Sequence, residues 1–186
     1  MKNSINLRFG VIVGMITVAA LSRFLFLTPS LANFSPVGAM ALFGGAYFAN
    51  KRWSYAIPML ALWLSNLVLN NVVYKEYYPT FSFGIEPGVF VSFAVMVTVG
   101  VFLLKKVTVQ NVLFANLLGT LSFFLVSNFF VWTEGKLYTQ DMNGLALSYA
   151  NAIPYVKNTL MSNLLFSAVM FGAFEAAKRQ VRALAY

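Results

Sequence analysis

The side chains of this sequence that could recognise a solute are amides, aromatics and a few charges. They recur at helical spacing inside otherwise apolar runs. Asn66, Asn70 and Tyr74 fall every four residues, and Asn116, Thr120, Asn128 and Trp132 share a second stripe. Asn158 and Ser162 form a third stripe, with Thr159 and Asn163 on the next. Residues four apart occupy one face of a helix, so these are organised polar faces. Their chemistry is hydrogen bonding and stacking, since amides both donate and accept and rings offer flat apolar surface. Arg23 adds a cation near the end of an apolar run. It suits either snorkelling toward water or a bidentate clamp on a carboxylate or phosphate. Glu86 and Glu134 are its candidate structural partners.

Bond-making chemistry has little to work with. The chain contains no histidine and no cysteine, which removes the commonest general base and metal ligand together with thiolate chemistry. Glu134 and Asp141 fall in a connecting segment, and Glu175 stands beside Lys178 and Arg179, where an ion pair accounts for it. There is no phosphate-binding loop. The expectation is therefore no enzyme, no cofactor and no metal site. A proton-coupled carrier normally carries a carboxylate inside the membrane; none is evident, which argues against a self-sufficient secondary transporter.

The elements that would position these residues follow from composition. Sixty per cent of the 186 residues are hydrophobic and only 10% are charged, against about 25% charged in soluble domains. The apolar residues fall in long runs, which predicts an all-α, polytopic transmembrane bundle of six helices forming a single domain over 1–186. The expected spans are about 9–27, 34–50, 55–73, 87–104, 112–132 and 155–177. The second has an apolar stretch of only Pro36 to Phe48. It crosses if its helix runs from near Asn33 to near Lys51, and is otherwise a short or re-entrant piece.

Charge placement favours crossing. With the N-terminus cytoplasmic, Lys2, Arg8, Lys51, Arg52, Lys105, Lys106, Lys178, Arg179 and Arg182 lie inside, while Lys75, Lys136 and Lys157 lie outside among Glu76, Glu86, Glu134 and Asp141. This is the asymmetry that the positive-inside rule describes, with both termini cytoplasmic. The net charge of +8 is then a matter of topology, and no basic face remains for nucleic acid. The first segment has the basic start of a signal peptide and Ala19 and Ala20 near a possible cleavage point. Its apolar run continues to Leu27, so we expect a retained helix. The long connections, Tyr74 to Glu86 and Thr133 to Asn151, are expected to order over a site.

Depth sharpens the functional reading. In this topology Arg23, Asn33, Ser35, Asn70, Asn71, Tyr74, Asn128, Trp132, Tyr149, Asn151, Tyr155 and Asn158 all fall toward the outer surface. Polar groups in hydrocarbon usually face the bundle or a cavity, so an outward-opening pocket is expected. The proposed substrate-binding residues are Arg23, Asn33, Asn70, Tyr74, Asn128, Trp132, Asn151, Tyr155 and Asn158. The alternative is that the asparagines join helices, each contributing roughly 1 kcal/mol. Gly38, Ala41, Gly45 and Ala49 share a face suited to close internal packing. Gly10 and Gly14 form a GxxxG that serves either internal packing or docking to a partner membrane protein.

Three stretches carry a family resemblance. Asn33-Phe-Ser-Pro-Val-Gly-Ala-Met-Ala-Leu-Phe-Gly-Gly-Ala-Tyr-Phe48, Phe123-Phe-Leu-Val-Ser-Asn-Phe-Phe-Val-Trp132, and Gly144-Leu-Ala-Leu-Ser-Tyr149 with Ala152-Ile-Pro-Tyr-Val-Lys-Asn-Thr-Leu160 resemble the signatures of the uncharacterised bacterial membrane protein family DUF6580. Arg23 stands where that family carries an arginine. Acidic residues occur in the family near Asn66 and Asn163, where this chain has amides. The family is distantly similar to the S components of energy-coupling factor (ECF) transporters. That likeness implies a six-helix, multi-pass protein of the bacterial inner membrane that captures a vitamin-like or other small solute. It also implies a transmembrane coupling subunit with ATPases as partners, with Gly10 and Gly14 in the docking role. A structural or assembly protein without a ligand is the alternative, to be told apart by whether alanine at Asn128 or Asn158 affects only stability.

Overall fold

Backbone N–H and C=O groups that meet no water must pair within their own segment, and every apolar run of this chain folds as a helix. The computed structural model describes residues 2–184, and no strand occurs among them. Helix α1 (Lys2–Ser22) ends in a 3-10 turn, Arg23–Leu25. A second such turn, Pro29–Leu31, precedes α2 (Val37–Tyr47). Helix α3 (Lys51–Val68) continues into a π-helical turn, Leu69–Val73; α4 (Pro87–Leu103), α5 (Val109–Thr133) and α6 (Met142–Gln180) follow. Four helices are long and apolar enough to cross a membrane: Leu7–Leu25, Lys51–Val73, Val109–Thr133 and Met142–Gln180. Helices α2 and α4 are apolar but shorter. By length and composition this is a membrane protein.

Helix α2 departs from the expected 34–50. Asn33 takes a left-handed φ of 64°, and Pro36 restricts the residue before it to extended backbone, so helix cannot begin earlier. Phe48 is extended, and the Asn50 side chain already caps α3 by accepting from Arg52 N at 2.9 Å. The eleven residues left span about 16 Å, less than a hydrocarbon core. Instead α2 is the axis of the bundle: all of it but Ala46 is buried, and it packs against each of the other five helices.

Small residues permit that position. A Cβ on Gly45 would lie 2.6 Å from Val97 O, and one on Gly100 would lie 2.6 Å from Leu42 O, so α2 and α4 touch backbone to backbone. Gly38 and Ala41 are buried as expected, but Ala49 is exposed, because α2 has already ended. Gly10 and Gly14 have nothing within 4 Å of a Cβ position. They face outward on α1, and internal packing is not their role.

Helix α6 starts at Met142 rather than near Tyr155, because Asp141 caps it: its carboxylate accepts from Gly144 N at 2.7 Å. That hydrogen bond lowers the Asp141 pKa below the usual 3.8. A depressed carboxylate pKa contributes stability above the unfolded value and loses it as pH falls through the folded one. We therefore expect the N-terminal turns of α6 to loosen below about pH 4. Asp141→Ala should abolish that dependence, as read by circular dichroism from pH 6 to pH 2.

At the end of the bundle that gathers Arg8, Lys51, Lys178 and Arg179, the Tyr47 hydroxyl donates to Glu175 at 2.6 Å and Lys178 pairs with the same carboxylate at 2.8 Å. Arg8 donates to Tyr47 O at 3.1 Å. Phe43 stacks edge-on with Tyr47, Phe171 and Phe174 just inside this clasp. These contacts tie α1, α2 and α6 together at this end.

Candidate functional site

At the opposite end α3 supplies a ladder of polar groups. Asn66 Oδ1 accepts from Arg23 Nη1 at 3.0 Å, and the same nitrogen donates to Ser65 Oγ. One turn further, Asn70 Nδ2 donates to Glu86 Oε1 at 3.4 Å and to Ser82 Oγ at 3.1 Å. The Tyr78 hydroxyl donates to the same Glu86 oxygen at 2.9 Å. Burial, and then the Glu86 charge, push the Tyr78 pKa up to about 12, so the phenol remains a donor at physiological pH.

The connection from Tyr74 to Glu86 is pinned against α3 rather than loose. Asn71 and Ser82 exchange two hydrogen bonds, at 2.7 and 2.9 Å, Trp63 Nε1 donates to Phe83 O at 2.9 Å, and Asn66 Nδ2 reaches Gly84 O at 3.3 Å. Gly84, at φ 68°, turns so close beneath α3 that a Cβ there would meet Leu67 N at 2.9 Å.

These groups border a cavity of about 300 Å³. Arg23, Asn66, Asn70, Tyr74, Tyr78 and Glu86 form its polar side, and Phe26, Phe34, Phe93 and Phe123 its aromatic side. Asn163, 1% exposed, borders it too, donating to Thr120 Oγ1 at 3.0 Å while its own side-chain carbonyl fills the place that a Cβ on Gly38 would take. A second cavity of about 270 Å³ lies between α5 and α6, bordered by Asn128, Tyr138, Ser148, Asn151 and Tyr155. The two share Asn33, Val89, Phe123 and Thr159. A third, of about 490 Å³ and mostly apolar, opens between the same helices near Glu175 and Arg179.

The expected site residues thus divide. Arg23, Asn33, Asn70 and Tyr74 meet at the first cavity, and Asn33, Asn128, Asn151 and Tyr155 at the second. Trp132 and Asn158 line neither. Trp132 Nε1 holds Thr139 O at 3.0 Å, bracing the turn into α6. Asn158 Nδ2 holds Ser30 O and Ala32 O at 3.1 and 2.9 Å, fixing the α1–α2 connection to α6. Arg23 is partnered by Ser65 and Asn66 rather than by Glu86 or Glu134. Sequence reasoning missed Glu86, Tyr78, Asn66 and Asn163 as lining residues. Asn66 was findable from its shared stripe with Asn70. Glu86 was not, because it reaches the cavity through a folded connection with no periodicity of its own.

A family model described as a family of unknown function, DUF6580, matches residues 3–184. No curated protein and no solved structure matches the chain.

Proposed function

We propose that this chain, which belongs to the DUF6580 family, is the solute-capturing membrane subunit of an uptake system in a bacterial inner membrane. It would span six times with both termini cytoplasmic and work much as an ECF transporter S component does. The observation that carries this reading is the first cavity: a charged and amide-lined wall facing an aromatic one, at the end of the bundle away from the basic cluster. Placing that cluster in the cytoplasm, as the positive-inside rule favours, opens the cavity outward. Polar side chains are costly in hydrocarbon unless they face one another or a hydrated space, and here several border a void. In this reading the solute undergoes no chemistry. ATP is hydrolysed by partner proteins, and the outward-facing Gly10 and Gly14 on α1 leave room for a coupling subunit.

The second reading, a structural or assembly protein without a ligand, draws support from Asn158, whose hydrogen bonds go only to the α1–α2 connection. Native mass spectrometry of the gently purified protein separates the two. Capture requires a co-purified small molecule that is lost from Arg23→Gln. Asn158→Ala should lower stability by about 1–2 kcal/mol with occupancy unchanged. A protein that carries no solute, with Arg23→Gln behaving like wild type, would leave only the structural reading.

A further inference from the structure

The first cavity contains two opposite charges that do not meet. Among the described residues the ion pairs are Lys136–Glu134 and Lys178–Glu175, so Arg23 and Glu86 border one space without forming a salt bridge. Their supports explain the separation. Arg23 is held at the level of Asn66, and Glu86 at the level of Asn70. Those anchors lie one turn apart along the same stretch of helix, so each charged group is held by its own amide and the two face one cavity without meeting, with a small molecule between them able to reach both. Each group also keeps capacity in reserve. Of the guanidinium nitrogens, only Nη1 has partners among the described residues. Both bonds to Glu86 go to Oε1, which leaves Oε2 open.

From this we infer that the captured solute is a compact zwitterion. Its carboxylate or equivalent anion would be taken by Arg23, its ammonium or equivalent cation by Glu86, and its apolar body would lie against Phe26, Phe34, Phe93 and Phe123. This rests on the capture reading above and narrows it. A solute with only a negative charge would satisfy Arg23 and face Glu86 unscreened; one with only a positive charge would do the reverse. Like charges brought together in a partly enclosed pocket repel, so the site selects for both charges together. Asn70 and Tyr78, by engaging one glutamate oxygen, turn the other toward the cation.

Isothermal titration of the full chain in lipid nanodiscs tests this with five probes. Three are zwitterions: L-phenylalanine, L-leucine and 4-aminobutyrate. Two are single-charge counterparts of phenylalanine: 3-phenylpropanoate and 2-phenylethylamine. At least one zwitterion should bind. Where that is phenylalanine, removing either of its charges should weaken binding about tenfold or more, since each charge-assisted contact is worth that much. Arg23→Gln should weaken zwitterion binding similarly while improving 2-phenylethylamine; Glu86→Gln should do so while improving 3-phenylpropanoate. If Arg23→Gln fails to fold, the probe series on wild type and Glu86→Gln still decides.

A single-charge counterpart binding within about threefold of phenylalanine, or no zwitterion binding at all, overturns the inference. In either case a solute recovered by native mass spectrometry would preserve the capture reading on its own. Absence of any solute together with silence from all five probes would remove both.

Discussion

Gly100→Ala should destabilise the protein by about 3 kcal/mol, at the upper end of what overpacking a core costs, and Gly45→Ala should do nearly as much. In each case the added methyl lands 2.6 Å from a carbonyl oxygen of the facing helix. Neither obstacle is a flexible side chain that could rotate away. The backbone of α2 or α4 must itself move, and α2 is enclosed by all five other helices. Movement away from α4 therefore presses α2 into its remaining neighbours. The double variant should cost clearly less than the sum of the two, because the first methyl already separates the helices that the second would separate. Unfolding by heat or denaturant in detergent checks both statements. Full additivity would mean that the two glycines do not share one contact.

The second large effect is expected beside the first cavity. Gly38→Ala would place a methyl where the Asn163 carbonyl sits, and Asn163 is buried and engaged with Thr120. We expect a loss of about 2–3 kcal/mol from overpacking and from the disturbed hydrogen bond. Asn163→Ala alone should cost about 1–2 kcal/mol, chiefly through the buried Thr120 hydroxyl left without its donor. Combining the two should recover at least about 1 kcal/mol relative to the sum, since the shortened side chain vacates the space that the methyl needs. Thermal unfolding of the four proteins measures this coupling. A coupling near zero would show that Gly38 is needed for some reason other than the asparagine.

Much of this architecture was legible in the chain itself, and the exceptions have identifiable causes. Helix positions followed from apolar runs, since little else can satisfy a backbone in hydrocarbon. Close packing of α2 followed from Gly38, Ala41 and Gly45, because small side chains at helical spacing have few other uses. The length of α2 was overestimated because charge placement favoured a full crossing and so stretched the apolar run of Pro36 to Phe48 to 34–50, whereas Asn50 already caps the next helix. The start of α6 was placed late because Ser148, Asn151 and Pro154 look like a connection. The cap at Asp141 outweighs them. The site was half legible: Arg23, Asn70 and Tyr74 lie on regular helical faces, and their convergence follows from period and depth. Glu86 and Tyr78 are brought in by the folded segment before α4, held by the Asn71–Ser82 exchange. No spacing rule anticipates that arrangement. Asn158 shows the converse: its stripe and depth matched the site, yet its amide is committed to two carbonyls of the α1–α2 connection.

The length of α6 has a mechanical consequence. This one rod passes all three hollows: Asn151 and Tyr155 border the second, Thr159 the first and second together, Asn163 the first, and Ser167 with Arg179 the third. Pro154 lacks the N–H that would bind Ala150 O, and such a gap is where helices bend. Above it the rod borders the second hollow and neither of the others, so bending there acts on that hollow first. Below it the rod is an unbroken wall, and any tilt that widens one chamber must change the others in the same stroke.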